Sequence, residues 1–322
     1  ADFLDTKHHE RRVQAPEVMD ILNKVVQKLD EPVADPAILP TYLLSEFARE
    51  HVKVALGGEG SDELFGGYQT FTAERFVNTY KTLPAFIRKS VIENIVNKLP
   101  VSHKYFSFDF KAKQFIRGVN APDKYIHQSW LESFNTKEKE DLLSEEYKAA
   151  IPENPYGRID EYLSEVPDDP HMQATHFYLR TYLLDVILAK VDRASMYNSL
   201  EVRAPFLDVS LAELALQLPW EYKHKGTTGK YILRQMMKGV LPKNVVRRGK
   251  HGFGLPVGQW FRNEWKEILC DTLAPDHVRK VGICSAEEVN RLVQEHLKGS
   301  HNHRKKLWSL LMLHLWHDAW MR

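Results

Sequence analysis

Three carboxylates, Glu59, Asp62 and Glu63, share one short stretch with Gly57, Gly58, Gly60 and Ser61. Glycines let backbone N–H groups approach a phosphate closely, and a helix starting just behind adds the positive end of its dipole. Acids beside such a cradle suit Mg2+ binding or general-base work. A plain glycine turn with a solvated acidic cap has the same composition, and the residue types alone leave both readings open. A second group, Asp192, Arg193, Glu201, Arg203 and Asp208, alternates charge within an apolar context. Buried charges need partners, so Glu201, Arg203 and Asp208 are expected to form an internal ion-pair network. Asp192 and Arg193 fit that network or a nucleotide or substrate carboxylate equally well. A third group runs from Arg247 through Lys250 to Gly254 and mixes basic side chains with glycines, with no acid between them. It suits a mobile loop closing over polyphosphate, or a solvated basic loop. His301, His303, His314 and His317 raise the question of zinc. No carboxylate or cysteine completes a set by spacing, so core or capping histidines are expected. His8 and His9 are expected in a strand.

The elements that must position these groups follow from periodicity. The apolar run 52–56 reads as a buried strand that leads into the glycine loop. Residues 15–29 read as an amphipathic helix through Val18, Ile21, Leu22, Val25, Val26 and Leu29, with Pro16 in the first turn. An acidic, proline-stiffened loop follows, in which Asp30, Glu31 and Asp35 either hold a substrate amine or simply shape the turn. A helix over 42–49 returns the chain to the strand. Helix, strand and helix in this order make an α/β pattern, whose ligands lie beyond the carboxyl ends of the strands. After residue 68 strand patterns vanish and helical ones dominate, at 71–80, 84–99, 136–150 and 172–188. Residues 152–170 read as a linker or surface loop, and Phe106, Phe108, Phe110 and Phe115 as core packing. The last helix, 305–320, is apolar nearly all round and should be buried or form a subunit contact.

The stretch GGEGSDELFGGY, 57–68, resembles the signature loop of the asparagine synthetase family, in its ATP-using synthetase domain. DRASM at 192–196 and LEVRAPFLD at 200–208 resemble two further blocks of that family. Lys250 matches a lysine that the family places against phosphates, and Lys230, in GKYILR, matches a second lysine position. The resemblance extends from about residue 1 to the C-terminal helix. It implies an α/β fold with a partial Rossmann-like parallel sheet, of the adenine nucleotide α-hydrolase, PP-loop ATP pyrophosphatase type, followed by a large, mostly α-helical region. The division implied is 1–70 for the remaining nucleotide-binding sheet and 71–322 for the helical part.

The activity implied is ATP-dependent amidation of a carboxylate, releasing AMP and pyrophosphate, with aspartate to asparagine as first choice. A sugar acid, a peptide carboxylate or a β-lactam-type ring closure keeps the same chemistry, and a non-catalytic scaffold stays open. Carried over by position, Glu59 is the base and Lys250 the phosphate clamp. Gly57, Gly58, Gly60, Ser61, Lys230, Asp192 and Arg193 face the nucleotide, and Asp62 holds Mg2+. Glu63 caps the following helix. The family's SGGxDS pyrophosphate loop is not found in the sequence. The expectation is therefore a piece of a longer protein, inactive or very weak by itself, served by a glutaminase domain that supplies ammonia, with a homodimer possible.

Composition excludes little but agrees. A formal net charge of +1 gives no global field for nucleic acid or membrane. Two cysteines are too few for a disulfide scaffold, which makes a reducing, cytoplasmic setting the expectation. No apolar run approaches the ~18 residues of a membrane span.

Overall fold

The computed structural model describes residues 1–104, 107–249 and 252–321. It is a mostly helical α/β structure with a small parallel sheet. Strand β1, Val54–Leu56, pairs in parallel with β2, Glu201–Arg203, in the register Val54 with Glu201 and Leu56 with Arg203. A two-strand hairpin, β3 at His224–Lys225 and β4 at Thr228–Gly229, stands apart from it. No helix among the described residues is long and apolar enough to cross a membrane.

The second strand corrects the expectation that strands end at residue 68. Three residues are too short to show a period-2 pattern, and pairing across the chain rather than local propensity makes β2 a strand. The reading of 8–14 as a strand is corrected too: that segment is irregular and exposed. His9 instead packs against His51 with tilted rings, their centroids 4.0 Å apart. Residues 136–150 form two short helices, Thr136–Leu142 and Glu145–Lys148, the first held by a capping box between Asn135 and Glu138. The stretch read as a linker contains the helix Gly157–Ser164. From Pro170 to Met196 the chain stays helical, and Tyr178–Leu188 is wound as a π-helix.

The main core joins the two ends of the chain. The helix Ala15–Val26 carries Val18, Leu22 and Val25 into a cluster with Ile38, Leu39 and Leu43 of the helix Ile38–Arg49. Trp265, Leu269, Leu292, Leu307, Trp308 and Leu311 complete it. Polar atoms fix the register. Trp265 Nε1 donates to the Ala15 carbonyl at 3.2 Å, Trp316 Nε1 to that of Leu29 at 3.1 Å, and Trp320 Nε1 to that of Val26 at 3.3 Å. The final helix, Arg304–Trp320, is thus the buried spine that its all-round apolarity requires. The phenylalanine cluster is only partly core. Phe115 meets Tyr80 edge-on, whereas Phe108 is exposed, and Phe106 lies outside the described residues.

Candidate active site

The glycine loop starts where β1 stops. The Gly57 amide donates to the Arg203 carbonyl at 2.7 Å, so the parallel pair continues one step before the chain turns away. Gly60 sits at φ 84° and is buried, and a Cβ there would lie 2.2 Å from Leu207 Cδ2. Only glycine serves at that point, because the left-handed backbone and the leucine both exclude a side chain. A single helical turn, Ser61–Leu64, follows. Being so short, it lends the loop only a weak dipole. The Ser61 hydroxyl donates back to the Gly58 carbonyl at 2.7 Å, which closes the loop on itself. The amides of Gly58, Glu59 and Gly60 donate to no group among the described residues.

Lys230 reaches this loop from the other end of the sequence. The hairpin β3–β4 delivers Gly229 against Gly66, so close that a Cβ on Gly229 would lie 2.3 Å from the Gly66 carbonyl oxygen. The Lys230 amide then donates to the Phe65 carbonyl at 2.9 Å. Lys230 itself takes left-handed backbone, φ 54°, which costs a side-chain-bearing residue stability and marks a position held by its surroundings. The outcome is a placed ammonium. Lys230 Nζ lies 2.9 Å from Ser61 Oγ and 3.0 Å from Asp62 Oδ1.

Glu59 folds back over Gly57, whose missing Cβ leaves the room: a Cβ there would be 1.9 Å from Glu59 Oε2. That oxygen is shielded from solvent and has no hydrogen-bond partner among the described residues. A buried carboxylate oxygen without a donor is costly in a resting protein, and it fits a group whose partner arrives with the substrate. Glu63 does not cap the turn. It is buried and accepts a hydrogen bond from the Tyr68 hydroxyl, whose pKa burial and the Glu63 charge push up. Tyr68 in turn stacks on Tyr178 of the π-helical stretch at 4.9 Å. The loop is therefore anchored from below by a buried polar contact.

Other residues singled out from the sequence lie elsewhere. Asp192 and Arg193 sit on the helix Ala189–Met196. Arg193 makes a two-pronged contact with Asp30, Nε to Oδ1 at 2.7 Å and Nη2 to Oδ2 at 2.8 Å, while Asp192 is exposed. This pairing holds the Asp30 carboxyl below its usual range. One turn earlier Lys190 Nζ meets Asp35 Oδ2 at 2.6 Å, largely away from solvent. Sequence reading gave Lys190 no role, and no local pattern pointed to its partner, 155 residues away. The two ion pairs tie the acidic loop to this helix, which occupies Asp30 and Asp35 with structural partners. The network expected for Glu201, Arg203 and Asp208 is corrected. Arg203 Nε pairs with Glu201 Oε1 at 2.7 Å on an exposed face, and Asp208 caps the helix Val209–Gln217 through the Leu211 amide. β1 and β2 lie at the surface here, so those charges remain hydrated and need no internal partner. Lys250 lies outside the described residues.

A family model described as Asparagine synthase matches residues 1–318. The chain belongs to the asparagine synthase family. A protein named putative asparagine synthetase, glutamine-hydrolyzing, from Mycobacterium bovis is 32% identical over 323 residues, covering 98% of this chain and 47% of its own length. Asparagine synthetase 1, glutamine-hydrolyzing, of Bacillus subtilis is 30% identical over 314 residues, 95% of this chain and 46% of its own. Amidase chry2 of Gibberella zeae is 22% identical over 307 residues. The chain spans about half the length of the curated relatives it matches. Within this member of the family, Gly57, Gly58, Gly60, Ser61, Asp62 and Lys230 come together around one loop, and Glu59 folds back over Gly57.

Proposed function

We propose that this chain is the ATP-using synthetase part of a ligase that amidates a carboxylate, with aspartate to asparagine as the first choice of reaction and ammonia drawn from glutamine by another part of the protein. The observation that carries this reading is the placement of the Lys230 ammonium on Ser61 and Asp62, in the same loop that carries the donor-less Glu59 oxygen, at the carboxyl end of β1. The relatives' names support the family-level chemistry.

The residues fit ATP with Mg2+ in a definite way. Free loop amides and a lysine suit phosphate oxygens. Asp62 already has a cation at 3.0 Å, so it suits a metal that arrives with phosphate and shares the site with Lys230, rather than a metal held by protein alone. When bound, ATP and Mg2+ supply the activation of the carboxylate, with pyrophosphate as leaving group. Lys230 holds negative charge that builds on the phosphates, where a preplaced cation acts more strongly than water. Glu59 Oε2 accepts a proton from the nitrogen that attacks the activated carboxyl, a role that needs an acceptor lacking a donor of its own. Lys250 is proposed as a second phosphate clamp. For Arg193, the contact with Asp30 favours a positioning role over a nucleotide contact.

The test is pyrophosphate release by the intact protein with ATP, Mg2+ and ammonia, across aspartate and a panel of other carboxylates. Aspartate-dependent release with asparagine formed is the expected result. Release with another carboxylate moves the substrate, and no release or ATP binding with any of them overturns the proposal. Glu59→Gln separates the steps: pyrophosphate should still be released while amide formation stops.

A further inference from the structure

We propose that Glu295, His301 and His303 form a binding site for a zinc-class transition-metal ion at the turn between the last two helices, remote in sequence from the glycine loop. Sequence spacing offered only the two histidines. The carboxylate that completes the set comes from the preceding helix, Ala286–Lys298, and the turn brings it back.

That turn is built tightly. Gly299 ends the helix in left-handed backbone, φ 81°. The Ser300 and His301 amides both return to the Glu295 carbonyl, at 3.1 and 3.3 Å. Beyond it the His303 amide donates to His296 Nδ1 at 3.1 Å, and Asn302 Nδ2 to the Ser102 carbonyl at 2.8 Å. The next helix begins at Arg304. The imidazoles of His301 and His303 therefore stand side by side, centroids 5.3 Å apart and planes within 8° of parallel.

Both rings turn a nitrogen to the same carboxylate oxygen. Glu295 Oε2 lies 2.6 Å from His303 Nε2 and 3.5 Å from His301 Nδ1, and all three ligand atoms lie within 4.8 Å of one another. Tetrahedral zinc with bonds near 2.1 Å sets its ligand atoms about 3.4 Å apart. The Glu295–His301 spacing already has that value, and the Glu295–His303 hydrogen bond has to open by less than about 1 Å. The other carboxylate oxygen, Oε1, accepts from Arg291 Nη1 at 2.7 Å, and Arg291 is steadied by Glu288. An outer contact of this sort fixes a ligating carboxylate in orientation. His301 has to release only its 3.2 Å contact with Ser300 Oγ. Two imidazoles and one carboxylate suit Zn2+, Co2+, Ni2+ or Cu2+ rather than Mg2+ or Ca2+. His301 is more than half exposed, so the ion has an entry path and a fourth position open to water. A simple Glu295–His303 ion pair leaves the second ring, aimed at the same oxygen, without a reason.

Intact protein stripped with a chelator would be titrated with Co2+, followed by its visible absorption, and with Zn2+ against a chromophoric competitor. The expected result is one ion per chain at this turn, a rise in Tm with Zn2+, and at least a tenfold loss of affinity in both His301→Ala and Glu295→Gln. His301 is the exposed member and its removal spares the core. Pyrophosphate release with ATP and Mg2+, in the absence of added Zn2+, should be unchanged in that variant. The double variant His8→Ala/His9→Ala should bind as wild type does. Absence of Zn2+ binding, binding unaltered by His301→Ala, or binding lost with His8 and His9 would each overturn the proposal.

Discussion

The helical core and the β1–β2 edge of this molecule are built on opposite terms. In the core, Trp308 is 1% exposed, lies against Phe261 and Trp265, and belongs to a cluster drawn from both ends of the chain. At the sheet, Leu56 is 74% exposed although it belongs to the strand that feeds the candidate active site. Stability is thus concentrated where no chemistry is proposed. The glycine loop is held by its junction with the short β1–β2 pair, a serine that folds back, the buried Glu63–Tyr68 contact beneath it, and one lysine from far along the chain. A loop held by local polar contacts, apart from the main core, can adjust to a ligand without disturbing that core.

The comparison breaks most readily at Trp308. Trp308→Ala should remove about 3–5 kcal/mol of stability, the usual range for an emptied aromatic site in a closed core. Urea unfolding measures it, and a loss under about 1 kcal/mol would mean that the core is not the anchor described here. Acid tests the same region through His314. Its side chain is buried with neither ring nitrogen bonded among the described residues, and burial, aided by the His277 charge, holds its pKa down to about 4 from 6.5. The folded protein therefore keeps this ring neutral while the unfolded chain takes up a proton near 6.5. The stability this contributes is complete above that value and is lost as pH falls toward 4. His314→Leu should hold stability at neutral pH and flatten the acid arm by up to roughly 3 kcal/mol. His296, held down to about 3 by burial and the His103 charge, leaves a residual slope of the same sign.

Two further changes sharpen the contrast at the other end. Lys230→Ala should leave the unfolding midpoint nearly in place, yet raise the KM for ATP tenfold or more, the scale of one charge-assisted contact of about 1.5–3 kcal/mol. If the midpoint collapses instead, Lys230 is a structural strut and not a phosphate ligand. Leu56→Ala should have the smallest effect, within about 0.5 kcal/mol, because little water-free contact is lost at an exposed strand. A large drop in the intact protein would show that another segment covers β1 there.

Helices were legible wherever an apolar stripe was long. The stripe of Val18, Leu22 and Val25 marked a core face directly, and the all-round apolarity of the last helix required burial. Phe108 shows the limit: hydrophobicity marks a residue suited to the core but does not place it there. The ion pairs were harder still. Charge alternation near 201–208 suggested an internal network, but only the position of β2 at the surface decided that these side chains remain hydrated.

By itself the sequence determined the glycine loop. Gly57, Gly60 and the acids Glu59, Asp62 and Glu63 fall within seven consecutive residues, and a positive φ or a missing Cβ is a local demand that residue type reveals. It also determined family membership, since the family model matches residues 1–318. Tertiary structure alone decided that Lys230 is the cation on Asp62, that Arg193 answers Asp30 and Lys190 answers Asp35, and that Glu295 faces His301 and His303. Each is a pairing of side chains whose positions are set by backbone close approaches and helix ends. Periodicity describes what one element buries, and carries no information about which distant charge will stand opposite it.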